Sequence, residues 1–186
     1  MKIGVLALQG DYDAHRRMLQ RLGAEVTLVR KPEQLDELDG LVIPGGESST
    51  FLKFLEQTGF FERLKKFVRA KPTLGTCAGA ILLAKDVGNP PQRSLGVLDI
   101  AIRRNAYGRQ RESFIGQGES ELGEGPLEMV FIRAPKIERL GRGVEVLARQ
   151  GDDPVLVRDG KVMAATFHPE LSDDSRVPQE FLNMIA

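Results

Sequence analysis

The sequence predicts an α/β protein built on a mostly parallel sheet with an antiparallel extension, and three observations carry that expectation. Short apolar runs alternate with amphipathic segments up to residue 86, the pattern of strand and helix units in a parallel sheet. Beyond Asn89-Pro90-Pro91 the runs become strand-like and are separated by turn residues, as antiparallel pairing allows. The third observation is placement. Three glycine-bearing loops, Gln9-Gly10-Asp11, Pro44-Gly45-Gly46-Glu47-Ser48 and the turn around Cys77, each follow a candidate strand and lead towards a candidate helix. In a parallel sheet such loops lie along one edge, where ligands bind.

In order along the chain, residues 2–8 read as a strand broken by Gln9-Gly10-Asp11, 12–22 as a helix, and 25–29 and 40–44 as strands. Residues 48–69 have helical periodicity, and Gly59 after Thr58 marks a C-cap that divides them into two short helices. A strand over 72–76 and a helix over 78–86 follow. The second half reads as strands at 95–103, 110–116, 127–133, 144–149, 154–158 and 161–167, with a hairpin turn at Asp159-Gly160 and a final helix near 177–185. No repeat, low-complexity segment or long linker interrupts the chain, so residues 1–186 are expected to form one domain.

Composition narrows the function. At 186 residues a chain buries roughly 70% of the surface its unfolded form exposes, so it needs no disulfide or structural metal. One cysteine excludes an internal disulfide and the usual multi-cysteine zinc site. Lys and Arg number 26, Asp and Glu also 26, which gives nucleic acid or anionic lipid no global electrostatic attraction. The first apolar run is far too short to span a bilayer and lacks a cleavage site. A cytoplasmic protein is expected.

Cys77 stands between Gly75 and Gly79, where a short apolar strand turns sharply into a helix. Unpaired N–H groups and the positive dipole end at a helix N-terminus favour a thiolate, and glycine tolerates the strained angles and close approach of such a turn. A lone cysteine also serves as a small buried hydrophobe, and these glycines also suit an ordinary turn. A cysteine nucleophile needs a base, and the chain offers His15 and His168. His15 falls inside the first helix, at a spacing that suits a surface or groove. His168 ends the strand 161–167 in Phe167-His168-Pro169-Glu170. Proline keeps its predecessor extended, and side chains two apart on an extended chain share a side. Glu170 is therefore placed to fix the tautomer of His168 and support its cationic form; a solvated strand end is the plainer reading. The Gly45-Gly46 segment is placed to offer backbone N–H groups. Those of Gly46 and Ala78 are the candidates for an oxyanion hole. Neither a P-loop nor a dinucleotide-binding glycine pattern is present.

Pro44-Gly45-Gly46-Glu47, Gly75-Thr76-Cys77-Ala78-Gly79 and Phe167-His168-Pro169-Glu170, in that order, resemble the class I, or triad, glutamine amidotransferases. The resemblance covers essentially the whole chain. Ile3 to Gly10, Gly45 to Thr50, Arg104-Asn105-Ala106-Tyr107-Gly108-Arg109-Gln110 and Phe131-Ile132-Arg133-Ala134-Pro135 are similar to the branch that serves pyridoxal 5'-phosphate (vitamin B6) synthesis. Gly79-Ala80-Ile81 departs from the Gly-His-Gln or Gly-Met-Gln of many class I relatives and agrees with that branch.

The resemblance implies a three-layer, flavodoxin-like mixed sheet with helices on both faces. It implies that Cys77, His168 and Glu170 are catalytic, that Gly46 and Ala78 form the oxyanion hole, and that Gly46, Glu47, Ser48, Arg104, Ile132 and Arg133 bind L-glutamine. The products are L-glutamate and ammonia, formed through a γ-glutamyl thioester without a metal or other cofactor. It also implies a hetero-oligomeric complex with a separate β/α-barrel synthase subunit that receives the ammonia, since the chain stops at Ala186, and activation of the glutaminase by docking. Three other readings stand beside it: an amidotransferase subunit serving another acceptor pathway, a cysteine hydrolase such as a peptidase, and a regulatory module that binds without turnover.

Overall fold

A computed structural model describes residues 1–106 and 113–186. β1 (Lys2–Leu6), β2 (Glu25–Val29), β3 (Gly40–Ile43) and β4 (Thr73–Thr76) are joined by helical crossovers, among them α1 (Tyr12–Arg21), α2 (Ser48–Gln57) and α3 (Phe60–Ala70). Short strands with consecutive buried residues, such as the all-buried β3 and β4, are what a sheet covered on both faces requires. After β4 come α4 (Ala78–Leu83), β5 (Ala84–Gly88), β6 (Leu98–Arg103), β7 (Ser113–Ser120), β8 (Leu127–Ile132), β9 (Lys136–Leu140), β10 (Glu145–Gln150), β11 (Asp153–Asp159), β12 (Val162–Ala165) and α5 (Arg176–Asn183).

Nine strands form one sheet in the order β2-β1-β3-β4-β12-β11-β10-β7-β8, and β5-β6-β9 form a second. From β2 to β12 all neighbours are parallel; from β12 to β8 the sheet is antiparallel. The late strand β12 thus returns to the centre and lies beside β4, with Ala165 opposite Thr76. Alternation along β3 sends Leu41 and Ile43 to one face, where Phe51, Phe60 and Leu64 of α2 and α3 pack, and Val42 to the other, against Leu19 of α1 and Phe181 of α5. This is the three-layer arrangement with helices on both faces. No helix of the described residues is long and apolar enough to cross a membrane.

Several expectations need correction. The helix over 78–86 ends at Leu83 and continues as β5. The carbonyls of Leu82 and Leu83 accept from the amides of Leu95 and Val97, and pairing with β6 then holds residues 84–88 extended. β9 and a 3-10 helix over Pro32–Glu37 go beyond the elements expected; in β9 the apolar residues Ile137 and Leu140 stand three apart, with Glu138 and Arg139 between them, which gives no strand alternation to read. Pro169–Leu171 is a 3-10 turn rather than extended chain, since the fixed φ of proline suits the first position of a helical turn. Of the strand over 110–116, the first three positions lie outside the described residues, as do Tyr107 to Gln110; β7 begins at Ser113. The division at Gly59 is present, with Gly59 in the left-handed region at φ 73°.

α4 sits so close to the sheet that a Cβ on Gly79 would lie 2.0 Å from the Ile43 carbonyl oxygen. All six residues of α4 are buried, leaving the helix nowhere to retreat. Gly79→Ala is therefore expected to destabilise by about 2 kcal/mol or more and to lower Tm by roughly 4–8 °C in thermal unfolding; an unchanged Tm would mean that the helix can shift.

Candidate active site

Cys77 links β4 to α4 with φ 50° and ψ −106°. A non-glycine residue holds such angles only where its surroundings enforce them. Here the Cys77 amide donates to the Ala165 carbonyl at 2.9 Å, fixing the turn to β12. Gly75 and Gly79 allow the chain to fold back upon itself, since a Cβ on Gly75 would lie 2.7 Å from the Gly79 backbone. The Cys77 Sγ is 3.9 Å from the Ile132 carbonyl oxygen at the end of β8.

His168 follows β12 by three residues and its amide donates to Val130 of β8 at 2.8 Å. Cys77 lies on one side of its ring, close enough to raise its pKa, and its Nδ1 lies 2.6 Å from Glu170 Oε1 on the other. Burial lowers the His168 pKa, but the bonds to Cys77 and Glu170 and the charges of both outweigh it and push it up to about 10. Glu170 is nearly enclosed. Burial would raise its carboxyl, yet the two imidazoles against it, His15 and His168, hold it below the ordinary glutamate value. The structure thus brings together a cysteine, an imidazole favoured in its cationic form and an ionised carboxylate.

The other two loops converge on this point. A Cβ on Gly45 would meet the His168 ring at 2.7 Å and Cys77 Cβ at 3.4 Å, while one on Gly10 would lie 1.8 Å from the Gly45 carbonyl oxygen. Both glycines are places where backbone crosses backbone, or the side chains of His168 and Cys77, without room for a side chain.

With this geometry in place, the profile of the SNO glutamine amidotransferase family matches residues 5–186. The chain belongs to that family. It is 66% identical to the pyridoxal 5'-phosphate synthase subunit PdxT of Koribacter versatilis over 100% of this chain and 96% of that protein. Against the subunit of the same name from Thermosipho africanus it is 53% identical, covering 100% and 99%. A crystal structure of a glutamine amidotransferase superposes with a TM-score of 0.93 at 51% identity, covering 98% of both chains. A glutamine amidotransferase from Thermotoga maritima, at 16% identity and a TM-score of 0.66 over 98% of this chain and 82% of that one, shares the fold.

Within this SNO-family chain the remaining expected residues are placed as follows. Ala78 is the buried first residue of α4. Gly46 has φ 142° and packs on the Gln9 side chain, which lies 2.4 Å from its would-be Cβ. Ser48 opens α2 and its hydroxyl donates to Gln92 Oε1 at 3.2 Å. Ile132 ends β8, beside the sulfur, and Arg133 follows it with φ 45°. Arg104 reaches across to Glu47 Oε1 at 3.3 Å.

Glu47 already has partners. Its carboxylate caps α2, accepting from the amides of Ser49 at 3.1 Å and Thr50 at 2.8 Å and from both their hydroxyls. Slight burial works against ionisation, but these bonds hold the pKa at about 2. A substrate ammonium at Glu47 would share a carboxylate that is fixed in place beforehand.

His15, expected at a surface or groove, is instead completely buried, with Nε2 3.1 Å from Thr76 Oγ1 and 3.3 Å from Glu170 Oε2. The sequence holds a signal for this: His15, Met18, Leu19 and Leu22 recur at i, i+3, i+4, i+7, one inward stripe of α1. Asp11, His168 and Glu170 place one potential metal-ligand atom each within 4.8 Å of one another. Because His168 Nδ1 is bound to Glu170, coordination there would break the pair that orients the imidazole.

These shifts set opposite pH limits on stability. His168 has a raised pKa, so its contribution is full below 6.5 and is lost as pH rises towards about 10. Glu170 has a lowered one, so its contribution is full above 4.5 and is lost as pH falls through its folded value. Urea midpoints of the wild type are expected to fall between pH 6.5 and about 10. His168→Gln should flatten that decline; the same slope in both proteins would remove His168 as its source.

Proposed function

We propose that this chain acts, over residues 1–186, as one glutaminase domain that hydrolyses L-glutamine to L-glutamate and ammonia. The observation that carries the proposal is the strained Cys77 turn beside the ring of His168, whose Nδ1 is clamped by Glu170 at 2.6 Å. Cys77 Sγ attacks the side-chain amide carbon of glutamine, and the carbonyl electrons move onto oxygen. The backbone amides of Gly46 and Ala78 are assigned to that oxyanion; one such donor is worth about 3 kcal/mol in the transition state. The carbon–nitrogen bond then breaks and His168, cationic at the start, gives its proton to the departing ammonia. Neutral His168 next takes a proton from water, whose oxygen attacks the γ-glutamyl thioester. Glutamate leaves, and the sulfur and imidazolium return to their first states. Glu170 keeps the proton of Nδ1 in place throughout, so that Nε2 faces the sulfur.

Glu47, Ser48, Arg104, Ile132 and Arg133, with Gly46, are assigned to holding the substrate. Arginine pairs with a carboxylate through a planar fork and glutamate accepts from an ammonium, which matches the two charged ends of a free amino acid. The relatives named above are subunits of pyridoxal 5'-phosphate synthase, which supports a separate synthase chain as the partner that receives the ammonia. A reduced thiol as nucleophile suits the cytoplasm.

The test is glutamate release from L-glutamine with and without the synthase subunit of the same organism. Activity is expected to rise in the complex and to be abolished by Cys77→Ala, while Glu170→Gln should lower kcat about 100- to 10,000-fold. Release that persists in Cys77→Ala would overturn the mechanism. A protein inactive alone and in the complex would overturn the glutaminase reading.

A further inference from the structure

His15 takes no part in the steps above, yet it is the most enclosed titratable group of the site. Its Nε2 faces two oxygens, Thr76 Oγ1 at 3.1 Å and Glu170 Oε2 at 3.3 Å. Glu170 Oε1 is taken by His168, whereas Oε2 is buried and has no well-aligned hydrogen bond from any described residue. The polar group set against Oε2 is the ring of His15. Thr76 is the residue before Cys77 and ends β4, so one imidazole touches both the nucleophile strand and the carboxylate behind the base.

We propose that His15 is a positioning residue for this reaction: as a neutral imidazole with its proton on Nε2, it holds Glu170 Oε2 in place and keeps the carboxylate turned towards His168. The inference rests on the catalytic reading of Cys77, His168 and Glu170. The tautomer follows from the neighbours. A lone pair on Nε2 would confront a carboxylate oxygen, whereas an N–H there is attracted to Glu170 and donates to Thr76. His15 Nδ1 is buried without a hydrogen-bond partner among the described residues; a proton on it would be an orphaned donor in the interior. The titratable groups that act on His15 are Glu170, His168 and Asp11. Burial is the largest influence and lowers its pKa, opposed by Glu170 and Asp11 and aided by His168. A neutral dipole suits the task. A second cation against Glu170 would compete with the His168 imidazolium for the same carboxylate, while an N–H fixes its direction without dividing its charge.

Two measurements test this on the full chain in complex with its synthase. His15→Leu fills the space without a donor, and His15→Gln returns an amide N–H near the Nε2 position. His15→Leu is expected to lower kcat for glutamine about 10- to 100-fold, the scale for loss of a group that orients a catalytic ligand, with KM little changed. The acid limb of its kcat/KM profile should move to higher pH, because a carboxylate that loses a nearby N–H dipole protonates more readily. His15→Gln should recover most of kcat. Independently of activity, nitrogen NMR of the imidazoles in the wild type should find His15 neutral and protonated on Nε2 at neutral pH, with any titration below the ordinary histidine value.

A folded His15→Leu with wild-type kcat and pH profile, beside an active and Cys77-dependent wild type, would overturn the role of His15 alone. So would a proton on Nδ1 or titration near the ordinary histidine value, and that result decides the matter if His15→Leu fails to fold. A wild type without Cys77-dependent hydrolysis would instead overturn the catalytic reading on which the inference stands.

Discussion

The turn at Cys77 is the constraint on which the rest depends. Left-handed angles at a residue with a side chain cost about 1–3 kcal/mol, and the surroundings hold them. β4 is paired on both sides, by β3 and β12, and α4 is wholly buried against the sheet. Gly75, Gly79, Gly45 and Gly10 lie where three chain segments come too close for any Cβ. The position of the sulfur thus follows from backbone packing, and the groups around it are placed relative to that point.

Around that point charge is arranged by enclosure. Buried Glu170 meets an imidazole at each oxygen, His168 hydrogen-bonded at Oε1 with its pKa pushed up to about 10, and His15 3.3 Å from Oε2 with its pKa lowered by burial. The carboxylate raises both imidazoles, and the two part company because complete burial outweighs it at His15 but not at His168. Glu47 presents the contrasting case at the rim: a half-exposed carboxylate held ionised by a helix N-terminus and two hydroxyls. The inner carboxylate is tuned by pairing, the outer one by hydrogen bonds to a fixed backbone.

Strands β1 to β4 and the division of 48–69 at Gly59 are legible in the sequence because apolar run length and glycine punctuation are local signals. The contact of His168 with Glu170 is legible too, although through a different geometry: a 3-10 turn brings them together where the pattern suggests an extended chain. The first three residues of β5 read as helix because their fate is decided by remote partners, β6 and the amides of Leu95 and Val97 that take the carbonyls just before them. The burial of His15 is written in its spacing with Met18, Leu19 and Leu22, but histidine is at home both outside and inside a helix. Only the position of Glu170 beneath α1 distinguishes the two. Likewise the capping of α2 by Glu47 is a local pattern, whereas its pairing with Arg104 needs the fold.

The place of β12 has a consequence for how the protein is made. A ribosome delivers the sulfur early and the imidazole late, ninety-one positions further on by sequence number, and β12 must slot in between β4 and β11 rather than add to an open edge. Until it does, the Cys77 amide lacks the Ala165 carbonyl that fixes it, and the thiol has no imidazole beside it. The proposed nucleophile therefore stands without its proposed base while the ninety-one residues from Cys77 to His168 are made. Ammonia production begins only once the sheet has closed around its last strand.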